Sequence, residues 1–169
     1  SWRVPKENNG MGNISFDDYA QSGVLKAIEV IQNISGAKKV NAFGYCIGGT
    51  LLGVVLAILA AKRKASINTA TFLATMLDFS DIGPLGAVVD EPLVKKLEND
   101  LKDGKVLKGR DMTNAFNMVR ANDLIWPYII NNYLKGKTPA PYSILYWTND
   151  NTNLPGNMYA YYLRHFIIN

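Results

Sequence analysis

One cysteine invites chemistry: Cys46, set in Gly44-Tyr45-Cys46-Ile47-Gly48-Gly49. A thiolate is the most nucleophilic ordinary side chain near neutral pH. Being the only cysteine, it has no partner for an intramolecular disulfide, which leaves a catalytic nucleophile or a buried structural thiol. A nucleophile presented at the tip of a tight turn needs small residues two before and two after it. Gly44 and Gly48 meet that need, and Gly49 extends the clearance. The backbone N–H of Ile47, the next residue, would then form half of an oxyanion hole. A base is harder to find. His165, in Tyr162-Leu163-Arg164-His165-Phe166, is the only histidine. Its place in an aromatic helix reads first as packing or interface and only second as a general base.

The elements that must position Cys46 follow from patterning. Ser15-Phe16-Asp17-Asp18 fits a capping box and should start a helix. Val24, Leu25, Ile28, Ile31 and Ile34 keep one face apolar up to Gly36, a good left-handed terminator. The sequence predicts a short strand over Lys39–Phe43, then a second helix from Thr50 to about Lys64, apolar nearly all round and therefore buried. Asn68 to Leu77 reads as the next strand of a parallel sheet. The order helix, strand, helix, strand is the α/β rhythm. Past Phe79 the character changes. Asp81-Ile82-Gly83-Pro84 breaks the pattern, placing a boundary near residue 80. Asp90 and Pro92 open a helix carrying Leu93, Leu97 and Leu101, which Gly104 closes. Further helices are expected over Asp111–Arg120 and Asp123–Leu134 and from about Pro155. Between the last two lies an aromatic-rich run, Tyr142–Trp147. Trp126, Trp147, Tyr159, Tyr161 and Tyr162 suit core packing or an interface, and secondarily the lining of an apolar channel.

The bulk properties exclude several classes. The chain has 169 residues, 48% of them hydrophobic, a globular composition. Its opening, Ser1-Trp2-Arg3-Val4-Pro5, has no apolar run of the signal-peptide kind. The longest apolar stretch, Leu51–Ala61, is far short of the ~20 residues of a membrane span. A cytoplasmic location is the expectation. The net charge of +4 is carried by residues interleaved with acids, as in Leu93–Lys105, which reads as solvated helix faces and not as a nucleic-acid surface. No cofactor or metal motif is present. A start without Met and an end within an apolar pattern, Phe166-Ile167-Ile168-Asn169, suggest a piece of something longer.

Strand, Gly-x-Cys-x-Gly turn and helix together match the nucleophile elbow of the α/β-hydrolase fold, with Cys in place of Ser. The turn would aim the sulfur at the N-terminus of the following helix, whose dipole favours thiolate. In that fold the acid and the histidine follow on later strands of the same sheet. Residues 80–169 look instead like an insertion, so the triad is expected to be incomplete in this chain.

Larger blocks carry a family resemblance. "SWRVP", "DDYAQSGVLKAIEVIQNISGAKKVNAFGYCIGGTLL", "LDFSDIG", "NDLIWPYIINNYLKGKTP" and "YWTNDNTNLPG" followed by "YLRHF" together resemble the central part of a poly(3-hydroxyalkanoate) synthase. The box Gly-Tyr-Cys-Ile-Gly-Gly-Thr is similar to that of synthases built from one subunit type. The resemblance implies an α/β fold: a partial α/β-hydrolase core with a parallel sheet over residues 1–79, and a mostly helical cap or lid inserted over residues 80–169. It implies Cys46 as the nucleophile that takes the growing polyester from 3-hydroxyacyl-CoA, with no cofactor beyond the CoA thioester substrate. It implies that the base His, its Asp and the second oxyanion donor lie outside these residues, and that His165 is a cap histidine. The chain alone is then expected to be inactive. A homodimer and association with polyester granules are further expectations. Two other functions fit the same residues: a Cys-dependent esterase or lactonase, and a non-catalytic granule-surface or binding protein on a degenerate hydrolase core.

Overall fold

The structure, a computed structural model, describes residues 2–139, 146 and 150–168. It divides into two compact units, Ile14–Ile82 and Ser1–Asn13 with Gly83–Asn169.

In the first unit the capping box forms as its residue types demand. The Asp18 N–H donates to Ser15 Oγ at 3.1 Å, and the Ser15 N–H donates to Asp18 Oδ2 at 2.9 Å. The Ser15 N–H and the Ser15 hydroxyl, both donating to Asp18 Oδ2, hold the Asp18 carboxyl below its ordinary pKa. The capping bonds together start α1 (Phe16–Asp18), which runs through a π-helical stretch (Tyr19–Leu25) into α2 (Lys26–Ser35). Gly36, with φ of 70°, ends it. Strand β1 (Val40–Tyr45) follows, then α3 (Ile47–Ala61) and β2 (Ile67–Leu73).

The two strands are parallel, with Asn41 opposite Thr69, Phe43 opposite Thr71 and Tyr45 opposite Leu73. Parallel neighbours need a crossover, and α3 is that crossover. It packs on β1 and on the π-helical stretch. Leu51, Leu52, Val55 and Leu59 of α3 are buried with Phe16, Ala20 and Ile28. At about 1.5–3 kcal/mol for each large side chain removed from water, this cluster is what fixes α3 against the strand before it.

Several boundaries differ from the sequence reading. Strand β2 stops at Leu73 and not Leu77, because Ala74 turns to a positive φ of 48°. Helix α3 begins at Ile47, three residues before Thr50, so Gly48 and Gly49 lie within its first turn. The apolar stripe of α2 is only partly covered: Ile28 is buried, whereas Ile31 and Ile34 are exposed. The described sheet is two strands wide and offers that stripe little to pack on.

In the second unit, Asp90 Oδ1 caps α4 (Glu91–Leu101) by accepting from the Leu93 N–H at 2.9 Å. Then come α5 (Gly109–Val119), α6 (Ala121–Leu124), α7 (Trp126–Tyr128) and a π-helical stretch (Ile129–Leu134). Helix α8 (Gly156–Tyr162) packs on α4 and continues into a π-helical turn, Leu163–Ile167. A two-residue antiparallel pairing of β3 (Val106–Leu107) with β4 (Leu154–Pro155) was not anticipated. Strands this short carry no readable alternation. Arg164 braces the unit, its guanidinium gripping Glu98 at 2.7 and 2.8 Å and Glu91 at 2.6 and 2.8 Å. The opening residues join this unit through Asn153 Nδ2 donating to the Pro5 carbonyl at 3.0 Å and Asn157 Nδ2 donating to that of Asn13 at 3.3 Å. Of the aromatic run Tyr142–Trp147, only Tyr146 falls among the described residues, and it is exposed.

Candidate active site

Cys46 occupies the single residue between β1 and α3, with φ of 53° and ψ of −128°. Few L-residues adopt that conformation, and holding one there costs on the order of 1–3 kcal/mol, so the surroundings must enforce it. They do so through three backbone bonds. The Cys46 N–H donates to the Leu73 carbonyl at 3.0 Å, extending the ladder one residue past the end of β1. The Cys46 carbonyl accepts from Gly49 N–H at 2.9 Å and Thr50 N–H at 3.3 Å, closing the first turn of α3. The cysteine is exposed. The Ile47 N–H belongs to that first helical turn, where backbone donors have no intrahelical acceptor.

The glycines divide the work unequally. A Cβ on Gly44 would lie 2.5 Å from the Gly49 Cα, so strand and helix backbones pass in direct contact at that point. A Cβ on Gly49 would fall onto the Thr75 hydroxyl. A Cβ on Gly48 would meet no atom within 4 Å among the described residues. Close approach therefore requires Gly44 and Gly49, whereas the clearance expected of Gly48 is not used within this unit.

The turn after β2 borders the same site, and the sequence reading passed over it because Ala74-Thr75-Met76-Leu77 continues an ordinary strand composition. Thr75 Oγ1 lies 3.1 Å from the Leu73 carbonyl and 3.4 Å from that of Gly44. Thr50, the only buried polar side chain recorded among the described residues, donates to the Met76 carbonyl at 2.7 Å.

His165 lies in the other unit, on the Leu163–Ile167 turn, exposed and with its ring centroid 4.3 Å from that of Tyr161. Among the described residues no three metal-capable side chains converge, and no helix is long and apolar enough to cross a membrane.

A cysteine-bearing turn between a parallel strand and a crossover helix defines a mixed α/β chain. No protein-family model matches it. Curated relatives do. It is 44% identical over 170 residues to the poly(3-hydroxyalkanoate) polymerase subunit PhaC of Cupriavidus necator, covering 98% of this chain and 28% of the relative. The poly(3-hydroxyalkanoate) polymerase of Methylorubrum extorquens is 43% identical over 169 residues, covering all of this chain and 28% of its own. Subunit PhaC of Rhizobium meliloti is 41% identical over 165 residues, or 98% and 27%. The chain belongs to the poly(3-hydroxyalkanoate) polymerase family, and it spans a little over a quarter of the length of these relatives.

Proposed function

We propose that this chain is part of the catalytic region of a poly(3-hydroxyalkanoate) polymerase, with Cys46 as the residue that holds the growing polyester. The observation carrying this reading is an exposed cysteine held at positive φ between a parallel strand and its crossover helix, in a chain whose curated relatives are named for that polymerisation. In the reaction, the Cys46 sulfur attacks the thioester carbonyl carbon of a 3-hydroxyacyl-CoA. A new C–S bond forms, the C–S bond to CoA breaks, and CoA leaves as the thiolate. The hydroxyl oxygen of a second hydroxyacyl unit then attacks the Cys46 thioester, forming the ester C–O bond and breaking the C–S bond, so that Cys46 leaves as the thiolate while a base accepts the hydroxyl proton. Exchange of one thioester for another is nearly free of cost, and the step to the ester runs downhill.

Ile47 N–H supplies one donor to the oxyanion that develops on the attacked carbonyl. The base, its carboxylate partner and the second donor come from elsewhere in the longer protein. The reaction uses no cofactor. Residues 1–79 serve as part of an α/β-hydrolase core, and residues 80–169 as a cap that keeps water from the acyl-enzyme, without which the product would be free acid. A homodimer working at the surface of polyester granules completes the proposal. The test is to supply the longer protein with 3-hydroxybutyryl-CoA: polymer supports the reading, free 3-hydroxybutyrate makes it a hydrolase, and no CoA release makes it a binding protein.

A further inference from the structure

The turn that follows β2 lies against the elbow, and it is itself unusual. Ala74 takes a positive φ of 48° although it is not glycine, a cost that persists only when neighbours over-determine the conformation. Its consequence is to bring Thr75 back over the end of the sheet. There the Thr75 hydroxyl has one proton and two carbonyls in reach, Leu73 at 3.1 Å and Gly44 at 3.4 Å. Leu73 is the acceptor for the Cys46 N–H, and Gly44 is two residues before Cys46. The same hydroxyl, with the methyl beside it, fills the space a Cβ on Gly49 would take, against the first turn of α3. One side chain thus contacts the strand entering the elbow, the helix leaving it and the carbonyl that anchors its N–H.

We propose that Thr75 is a positioning residue for Cys46: its hydroxyl, donating to the Leu73 carbonyl with that of Gly44 in reach, also packs against Gly49, so that the thiol and the Ile47 N–H keep a fixed mutual orientation. The proposal deepens the polymerase reading and rests on it for its catalytic consequence, though the positioning can be read without any polymerisation. A hydroxyl acting on backbone geometry differs from one that only fills space, because Val replaces the shape of Thr without the donor and Ser keeps the donor with less shape.

The experiment compares Thr75→Val and Thr75→Ser with the parent. On this chain, whose one cysteine makes labelling unambiguous, the rate of Cys46 alkylation by iodoacetamide is measured at fixed pH, with melting temperature on the same samples. In the longer protein, single-turnover CoA release from 3-hydroxybutyryl-CoA gives the acylation rate and the substrate concentration at half-saturation. Thr75→Val should change the alkylation rate several-fold and slow acylation about tenfold, leaving half-saturation within about twofold, while Thr75→Ser stays near the parent. Equal behaviour of Val and Ser, or changes that merely track melting temperature, would overturn the positioning role. If Cys46→Ala still forms polymer, the assignment of Cys46 as the acyl carrier fails instead, and the alkylation arm still decides about Thr75.

Discussion

The N–H of Cys46 and the carbonyl of Leu73 meet at 3.0 Å, just beyond the point where β1 ends and where β2 gives way to Ala74. Two strained residues, Cys46 at φ of 53° and Ala74 at φ of 48°, follow directly on the two strand ends that this bond ties together. The sheet end is therefore a built feature, with each turn holding the other in place. Cys46 should be indispensable to chemistry at that point. In the longer protein Cys46→Ala is expected to abolish polymer formation from 3-hydroxybutyryl-CoA, and Cys46→Ser to leave at most a trace, since a hydroxyl is a poorer nucleophile in a site suited to a thiol. Substantial polymer from the Ala variant would remove Cys46 from the mechanism.

The glycines should separate by their surroundings. Gly44→Ala forces a Cβ to within 2.5 Å of the Gly49 Cα, a backbone atom that cannot step aside. It should cost several kcal/mol, in the range of severe overpacking. Gly48→Ala adds a methyl to open space on a helix and should be neutral or stabilising by up to ~1 kcal/mol within this unit. Urea titration of the two variants of this chain tests the order, and equal destabilisation would contradict the close approach.

How far this site was legible in the sequence depends on which residue is asked about. Gly44 and Cys46 announce themselves, because a turn too tight for side chains leaves a glycine signature, whereas the α3 start was placed three residues late, at Thr50 and not Ile47. The Ser15–Asp18 box and Gly36 were equally readable, since capping chemistry is local. Thr75 was not, for its role depends on a contact with Gly49 across the unit, and neither alanine nor threonine signals a left-handed turn. The exposure of Ile31, Ile34, Phe43 and Tyr45 could not be read either. Periodicity tells which residues want cover and is silent on whether the described chain supplies it.

The capping box gives a pH-dependent handle on the first unit. Asp18 is held below its ordinary pKa by the Ser15 backbone and side-chain bonds. A depressed carboxylate contributes stability that is present above its unfolded pKa, near 3.9, and is lost as pH falls through the lower folded value. Ser15→Ala should cost about 1 kcal/mol at neutral pH, and the gap to the parent should shrink on acidification below about pH 4. Melting curves at pH 7 and pH 3 test this. A gap that widens in acid would contradict it.

Arg164 offers the matching test in the second unit. Glu98 and Glu91 are both held below their ordinary pKa, chiefly by hydrogen bonds from Arg164, and Arg164 is raised in turn. All three are substantially solvated, so each pair alone is worth little. The fork geometry, however, joins both ends of α4 to the turn after α8. Arg164→Lys should lose much of the brace despite keeping the charge, because an ammonium cannot present two parallel donors. Hydrogen exchange at Tyr162–Ile167 should accelerate in that variant, and the parent should lose the same protection as pH falls below about 4, when the carboxylates protonate. Unchanged exchange in Arg164→Lys would mean that packing alone holds the turn.

The final expectation concerns turnover by these 169 residues on their own. Acyl transfer to Cys46 requires only the thiol and a carbonyl polarised by a donor such as the Ile47 N–H. Release to a hydroxyl or to water requires in addition a group that accepts the attacking proton. The one histidine in the sequence, His165, lies on the Leu163–Ile167 turn with its ring tilted against that of Tyr161. No second imidazole exists to take its place. The chain mixed with 3-hydroxybutyryl-CoA should therefore release at most about one equivalent of CoA, slowly, and retain the acyl group on Cys46, visible as an added mass that hydroxylamine removes. Release of many equivalents, lost on His165→Gln with the melting temperature unchanged, would make His165 a working base and would place the whole catalytic set within this chain.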